Sequence, residues 1–336
     1  MKTLTVRRSL VLAGGLLLFT SVLQAQPIRI RIGTVAPQDS PWHETLKQLR
    51  QDWHRISKGA VRVQIYPGGV LGDGPEMVRQ VRSGRIQAVA LTSAGLHQID
   101  KGISCLQIPL MFSSYGELDY VRARISDQLE KRLEARGFKL LHWGDAGWVH
   151  SFTTQPARTP DDLRRLKLFT HAGDPESERL YKEFGFWVVP LSLTDMITSL
   201  QTGMIEAVSL PPLFALLNES YRLAPNMASL RWIPLIAGTV ISLKTWEQIP
   251  EELRPGMLEA AIRAGDLLRD KIRRMDDNAV AEMEKRGLQV IQLNQAELDS
   301  WQKEAEKAYP QLRGRYAPAD LFDQVRRLRD EFRSHH

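Results

Sequence analysis

Several short stretches of the sequence carry residue types that enzymes use for catalysis or for binding metal and phosphate. His43 and Glu44 are adjacent, but no second histidine follows at the spacing that places two ring nitrogens on one helix face of a zinc protease. The glycine-rich stretch GGVLGDG, residues 68–74, follows a predicted strand, yet it lacks the lysine and hydroxyl residue of a P-loop and the spacing of a dinucleotide-binding loop. These glycines are better explained by a tight turn.

The other reactive groups give no catalytic arrangement either. The single cysteine, Cys105, lies in the apolar stretch ISCLQIPL, which favours a buried thiol over the alternative of a reactive one. No nucleophile-elbow motif is present, and His335 and His336 are interpreted as the frayed end of the chain. The sequence therefore predicts a protein that is not an enzyme, with no catalytic residue, no metal site and no cofactor.

The first 25 residues have the features of an export signal. The stretch MKTLTVRR carries three positive charges, a short apolar run follows, and Ala25 is a plausible cleavage position. Arg7 and Arg8 leave twin-arginine export open, and an uncleaved membrane anchor is the alternative. We predict a periplasmic protein that begins near Gln26, and its one cysteine then excludes an internal disulfide framework.

Composition and charge describe an ordinary soluble chain. Its 336 residues are 43% hydrophobic and 25% charged, which fits roughly two domains of average size. Removal of Lys2, Arg7 and Arg8 with the signal lowers the formal net charge from +6 to +3. The arginines of the last stretch, QVRRLRDEFRSHH, alternate with acids and predict a solvated helix face, so no nucleic-acid partner is expected.

Strands and helices alternate along most of the chain. The stretches IRIRIG, AVRVQIY and IQAVAL predict three strands separated by helices, and Ser40 and Pro41 are the cap and first residue of one helix. This order indicates an α/β unit with a largely parallel sheet. The stretches KLFT, FWVVPL and MIEAVSL predict a second unit, and GTVISL is expected to return to the first.

A helix of unusual length follows. Residues 250–287 keep helical apolar spacing, and an unbroken helix of this size reaches about 50 Å, more than one small domain. Two α/β units, a returning strand and a spanning helix predict an α/β clamshell of the type II-like periplasmic-binding-protein kind, with the ligand between the lobes. Lobe I is assigned residues 27–150 and 239–278, and lobe II residues 151–238 and 279–336, after a signal peptide at 1–25.

Five stretches connect this architecture to a known family. The stretches are APQDSPWH, VQIYPGGVLGDGPEMVRQVRSGRIQAVAL, LQIPLMF, RTPDDLRRLKL and LTDMITSLQTGMIEAV, and together they resemble the DctP-type periplasmic receptors of tripartite ATP-independent periplasmic (TRAP) transporters. The resemblance covers nearly the whole mature chain in order. It implies a periplasmic solute-binding protein that delivers an organic acid to membrane permease subunits, driven by an ion gradient. An orphan receptor that serves a sensor, an efflux system or an envelope complex is the alternative.

The resemblance also indicates which positions should face the ligand, and there this sequence departs from the family pattern. Arginines that pair with a ligand carboxylate are replaced by Phe169 and Val149, and a hydrogen-bonding asparagine is replaced by Leu210. The remaining expected positions are Val35, Thr92 and Leu193, and Trp148 and Phe214 are candidates for an aromatic lining together with Phe169. Five of the six matched positions are apolar.

An apolar cleft reverses the energetics of ligand binding. A carboxylate without a partner loses hydration worth several kcal/mol, whereas an apolar ligand gains about 25 cal/mol per Å² buried. We therefore predict a small ligand that is more apolar or aromatic than the dicarboxylates and sugar acids of the family. Three alternatives stay open: a compensating cation such as Lys244 or Arg231, an alignment shift that brings Arg164 or Arg165 into the site, and loss of ligand binding.

Four further side chains receive structural interpretations. His171 is expected in a solvated loop, with a ligand contact as the alternative. Trp42 is expected to stabilise a helix start, and Trp187 and Trp232 are expected in the core.

Overall fold

Two mixed β-sheets form the centres of two α/β lobes. A computed structural model of the protein describes residues 26–335. The strands are β1 (Ile28–Thr34), β2 (Val61–Tyr66), β3 (Ala88–Thr92), β4 (Phe138–Trp148), β5 (His150–Thr153), β6 (Leu168–His171), β7 (Val188–Leu191), β8 (Ala207–Leu210), β9 (Asn226–Ala228), β10 (Pro234–Ser242) and β11 (Gln289–Ile291).

Helices cover the faces of both sheets. They are α1 (Pro41–Ile56), α2 (Gly74–Arg82), α3 (Ser93–His97), α4 (Tyr115–Ala135), α5 (Pro160–Arg164), α6 (Pro175–Glu183), α7 (Met196–Gln201), α8 (Pro212–Leu217), α9 (Leu243–Gln248), α10 (Arg254–Glu284), α11 (Gln295–Arg315) and α12 (Ala319–His335). Short 3-10 turns occupy Lys101–Leu106, Leu193–Asp195, Ser220–Arg222 and Glu251–Leu253. Within residues 26–335, no helix combines the length and apolar composition that a membrane crossing needs.

The first sheet has the strand order β2-β1-β3-β10-β4. Strands β2, β1 and β3 are parallel, as the alternation of strands and helices predicts. Strand β10 contains the predicted returning stretch and runs antiparallel to both β3 and β4, so the sheet is less parallel than expected. Ile30 and Ile32 of β1 are fully buried against Trp53 of α1, which is the period-two pattern of a strand covered by a helix.

The second sheet has the order β11-β9-β5-β8-β6-β7. Strand β6 is parallel to β7 and β8, and β5 is antiparallel to β8 and β9. The helix start that TPDD predicts is present: the Thr159 hydroxyl accepts from Asp162 N, and the Asp162 carboxylate accepts from Thr159 N. This cap fixes the loop that leads into β6, whose carboxyl end faces the first lobe.

The predicted spanning helix is present as α10, whose 31 residues extend about 45 Å. Leu268 and Ile272 near its middle pack with Leu213 of α8, while Met283 near its end belongs to the core of the second lobe. In the first lobe a Cβ at Gly265 would lie 2.6 Å from His142 Nδ1 of β4. That close approach explains why a glycine is needed at this position of the continuous helix. Through these contacts α10 packs on both lobes, as predicted.

The position of the C-terminal helix corrects the predicted division of the chain. The second lobe was assigned residues 279–336, and α11 does pack there through Trp301. Helix α12 instead buries Leu321 and Val325 against α4 of the first lobe, where Arg333 also pairs with Glu117 at 2.6 Å. The chain leaves α11 at Gly314, whose φ of +91° reverses its direction, and α12 then covers apolar surface of α4 that would otherwise be exposed. The other boundaries stay predictions.

Candidate functional site

A cavity of about 230 Å³ lies between the two lobes. Its first-lobe wall is formed where β1 and β3 end and along β4 and β10, and its second-lobe wall by the ends of β6 and β8 and by α8. Carboxyl ends of strands from both sheets thus meet at one place, which is where α/β sheets place their ligands. The cavity is the candidate ligand site.

Seven of the eight residues predicted to face a ligand line this cavity. They are Val35, Thr92, Val149, Phe169, Leu193, Leu210 and Phe214. Trp148 does not: its ring packs on Tyr115 at 5.5 Å between centroids and lies in another hollow, near Arg231. His142, Gly144 and Ala146 of β4 line the cavity with period two, and the left-handed φ of +108° at Gly147 breaks this pattern before Trp148. That the seven residues contact a ligand stays a prediction.

Several cavity residues were assigned other roles from the sequence. His171 is the last residue of β6 and not a solvated loop residue; its ring lies edge-on to Phe169 at 5.1 Å, and burial lowers its pKa. Trp232 packs on Trp301 as expected of a core residue, but it also lines the cavity. Trp42 lines the cavity too, while its Nε1 donates to the Asp145 carbonyl. The sequence signal for a cavity position of His171 was its place at the end of a strand.

His142 of β4 is a cavity residue that sequence reasoning missed. Burial lowers the pKa of this histidine, which favours the neutral ring. Its Nδ1 lies 2.9 Å from the Trp143 carbonyl and therefore carries the proton, so Nε2 is left as an acceptor. Nothing in the local sequence distinguishes this histidine, because its place depends on the approach of α10 at Gly265.

The cavity wall carries almost no charge. Among residues 26–335, no lysine or arginine lines it. Arg164 pairs with Asp161 at 2.6 Å and with Glu304, Arg231 borders a different hollow, and neither Arg165 nor Lys244 is a cavity residue. The one carboxylate of the wall, Asp174, accepts from Ser177 N and Oγ at the start of α6. None of the proposed compensating cations reaches the site.

Three cavity residues have buried polar atoms without a hydrogen-bond partner among the residues described. They are Ser93 Oγ, Thr170 Oγ1 and His142 Nε2. A buried polar atom that lacks a partner costs about 1–3 kcal/mol. The protein itself therefore leaves three polar groups of the cavity wall unsatisfied.

The lobes are closed over the cavity. Gln98 of the first lobe donates to the carbonyl of Gly173 in the second at 2.6 Å, and Ser192 donates to Asp73 across the same gap at 3.1 Å. Lys101 pairs with Glu176 nearby. A Cβ at Gly173 would lie only 2.2 Å from Pro75 Cγ, so the surfaces touch closely at this point.

Within residues 26–335, the other reactive groups considered from the sequence lie outside this cavity. Cys105 is buried and free, and burial raises the pKa of its thiol, as expected for a structural cysteine. Asp39, His43 and Glu44 bring possible metal ligands together, but the Lys47 ammonium already pairs with Glu44 at 2.5 Å and with Asp39 at 3.5 Å. The turn predicted at GGVLGDG is confirmed by left-handed φ angles of +68°, +72° and +97° at Gly68, Gly69 and Gly72.

The sequence and the fold both have known counterparts. The sequence profile of DctP, bacterial extracellular solute-binding protein, family 7, matches residues 32–314. The 2,3-diketo-L-gulonate-binding periplasmic protein YiaO of Escherichia coli (strain K12) is 25% identical over 299 residues, which are 87% of this chain and 88% of that protein. The C4-dicarboxylate-binding periplasmic protein DctP of Rhodobacter capsulatus is 23% identical over 310 residues, 90% of this chain and 92% of that one.

A solved structure agrees with the two-lobed fold. The sugar acid binding protein DctPAm from Advenella mimigardefordensis strain DPN7T, in complex with galactonate, matches with a TM-score of 0.83 at 17% identity. The match covers 91% of this chain and 99% of that one. At this identity the likeness concerns the fold alone.

Proposed function

Because the chain belongs to the DctP family of periplasmic solute-binding proteins of TRAP transporters, we propose that it captures a small, largely apolar or aromatic molecule between its lobes and delivers it to a TRAP permease. Membership of the family makes the chain a solute receptor. The class of its ligand and its service to a particular permease are the proposed parts. The alternative of an orphan receptor is distinguished by the neighbouring genes, which should encode a small and a large permease subunit.

The observation that carries the ligand class is the lack of a cation in the wall of the cavity. The family resemblance implies arginines at the positions of Phe169 and Val149, and no lysine or arginine of residues 26–335 replaces them from elsewhere in the wall. A dianion enclosed there would lose its hydration without the bidentate donors that offset this loss. An apolar ring buried against Phe169, Phe214 and Leu210 loses no comparable hydration.

The polar groups of the wall point to a neutral ligand that carries a hydrogen-bond donor. His142 Nε2 is an acceptor and Asp174 is an acid, so both disfavour a carboxylate beside them. The hydroxyls of Ser93 and Thr170 serve equally as donors or acceptors. An amide, an alcohol or an N–H heterocycle meets these requirements.

An organic acid is the second candidate ligand, and the named relatives favour it. YiaO is a 2,3-diketo-L-gulonate-binding protein, and the R. capsulatus relative is a C4-dicarboxylate-binding protein. For this chain, an acid would require a cation that enters the cleft only on binding.

A thermal-shift comparison separates the two candidates. We expect benzamide and indole to raise the melting temperature of the mature protein, whereas succinate and galactonate leave it unchanged. A ligand that binds only the folded state at about 100 times its Kd stabilises by about 2.7 kcal/mol. Stabilisation by micromolar succinate or galactonate, without any response to the neutral compounds, would show the ligand class to be wrong.

Two alanine variants provide the matched control for this comparison. Phe169→Ala removes an aromatic ring from the cavity wall and should lose most of the shift. Trp187 was expected in the core but is 56% exposed, and it does not line the cavity, so Trp187→Ala removes a larger ring and should keep the shift.

Export gives a separate prediction. The predicted signal peptide lies outside the described residues, and its removal is expected because the family is periplasmic. Mass spectrometry of the periplasmic fraction should find a chain that begins near Gln26. An intact Met1 on a membrane-bound form would contradict cleavage.

A further inference from the structure

Asp276 of the spanning helix α10 connects two segments that come from opposite directions. Its Oδ2 accepts a hydrogen bond from Trp148 N at 3.2 Å, where the chain leaves the first sheet. Its Oδ1 accepts from Leu213 N at 3.0 Å, at the start of α8 in the second lobe. The carboxylate is only 5% exposed, so both bonds are shielded from water.

Each of the two N–H groups is next to residues of the ligand cavity. Val149 directly follows Trp148, and Leu210 and Phe214 flank Leu213. Asp276 itself does not line the cavity and therefore acts only through these segments.

Helix α8 depends on an acceptor from elsewhere. Its N-cap residue is Pro211, whose side chain makes no capping bond, and Pro212 follows as the first helical residue. The free N–H groups of a helix start need acceptors, and Asp276 supplies one to Leu213. The chain passes very close to this carboxylate, since a Cβ at Gly147 would lie 2.6 Å from Asp276 Oδ2.

We propose that Asp276 is a positioning residue of the ligand cleft, which ties the spanning helix to the crossing strand and to α8 and thereby fixes the two cavity walls relative to each other. The proposal deepens the proposed function and rests on it where ligand affinity is concerned. The tie, by which we mean the two hydrogen bonds from Trp148 N and Leu213 N to Asp276, is a property of the unliganded protein and can be measured without any ligand.

The surroundings of Asp276 make the tie depend on pH. The titratable and charged groups around it are Tyr115 of α4, His150 of β5, Arg231 of the segment before β10, and Arg273, Arg274 and Asp277 of α10. Arg273 is engaged by Asp119 and Asp145, and the remaining neighbours of opposite charge do not compensate for burial. Burial therefore raises the pKa of Asp276 to about 7, although the two N–H bonds and Arg231 oppose the rise.

The sign of the pH effect follows from this raised pKa. Between about pH 4 and pH 7, Asp276 keeps its proton in the folded state and has lost it in the unfolded state. The free energy of unfolding therefore falls as pH rises over this range. The protonated carboxyl has one good acceptor, whereas the carboxylate has two. Both N–H groups should therefore be bonded only above about pH 7. This strengthening concerns local openings in which Asp276 stays buried, and it is opposite in sign to the effect of the same ionisation on global unfolding.

Hydrogen exchange of the Trp148 and Leu213 amides in the unliganded protein tests the tie. In the wild type, where these amides exchange by local openings and not by global unfolding, protection of both amides beyond the intrinsic pH dependence should rise through about pH 7. In Asp276→Asn the side-chain amide accepts at one oxygen only, so this pH dependence should be lost. At least one of the two backbone amides should exchange about tenfold faster, because a hydrogen bond to a charged group lowers the opening equilibrium by about that factor.

The adjacent Asp277→Asn is the matched control. The Asp277 side chain is 83% exposed, so this variant should keep the wild-type profile. Equal protection and equal pH profiles in Asp276→Asn and the wild type would overturn the proposal. If Asp276→Asn does not fold, the wild-type profile decides: protection that is flat from pH 6 to pH 8 overturns the proposal, and a rise supports it.

Indole titrations of the same proteins separate this proposal from the ligand class. We expect indole to bind the wild type and Asp277→Asn more tightly at pH 8 than at pH 6, and Asp276→Asn weakly at both. Indole that fails to bind the wild type, together with the expected exchange results, would overturn the ligand class and support the tie. Indole affinity that is the same in all three proteins would overturn the positioning role.

Discussion

The Gly173→Ala variant is expected to bind its ligand about tenfold to a hundredfold more weakly than the wild type. In the closed protein, a Cβ at this position would lie 2.2 Å from Cγ and 2.9 Å from Cβ of Pro75 in the opposite lobe. A proline ring cannot rotate away, so the lobes must stay slightly apart. Overpacking of this kind costs about 1–3 kcal/mol, and each 1.4 kcal/mol is a factor of about ten in affinity.

The loss should come from closure alone. Gly173 does not have a left-handed φ, so alanine should fit its backbone, and the melting temperature without ligand should hardly change. Titration with the neutral compound that stabilises the wild type most gives the affinity, and small-angle scattering reports whether that compound still compacts the protein. The control is Gly256→Ala, whose Cβ would meet only Ile56 at 3.7 Å. Wild-type affinity and compaction in Gly173→Ala would show that this contact does not limit closure.

The double variant Phe169→Arg, Val149→Arg is expected to gain binding of succinate by at least about 100-fold. Both positions line the cavity, and both wild-type side chains are buried, at 7% and 4% exposure. Paired guanidinium groups donate bidentate hydrogen bonds to a carboxylate, and bonds to charged groups contribute about 1.5–3 kcal/mol each. Without an anion the two buried cations lack partners and should lower the melting temperature, so that added succinate restores it.

Isothermal titration with succinate measures the gain, and added salt should weaken the new binding. The double variant Phe169→Leu, Val149→Leu changes the same side chains without adding charge and should not bind succinate. If the arginine variant folds and succinate neither binds nor stabilises it, the two positions do not face the ligand. If the wild type already binds succinate as tightly, a cation outside the described wall reaches the site.

Much of the secondary structure follows from local patterns. Ser40 and Pro41 begin α1 as predicted, because a hydroxyl cap and a proline at the first position both satisfy local requirements of a helix start. The long apolar repeat of residues 250–287 predicts α10, because helical spacing that continues over 31 residues identifies a helix from the sequence alone. Seven of the eight predicted site residues line the cavity, because the family pattern places them by order along the chain; that they bind a ligand stays a prediction.

It was harder to predict which side of a strand a single side chain faces. Trp148 and Val149 are neighbours, and only the second lines the cavity. The outcome depends on Gly147, whose φ of +108° bends the chain beside Asp276 just before the crossing. A shift of one residue reverses every face of a strand, so the bend at Gly147 decides which side chain faces the cavity.

The sequence by itself determined that this chain has two α/β units and a spanning helix, and it predicted apolar residues at the strand ends between them. These properties depend on residue type and spacing, which local propensity and the pattern of apolar residues express directly. The tertiary structure decided that α12 packs on the first lobe, that His142 reaches the cavity and that Asp276 binds two backbone N–H groups. Each of these depends on contacts between residues far apart in the chain. An apolar helix face, a histidine or a buried acid is compatible with many partners, and only packing selects one.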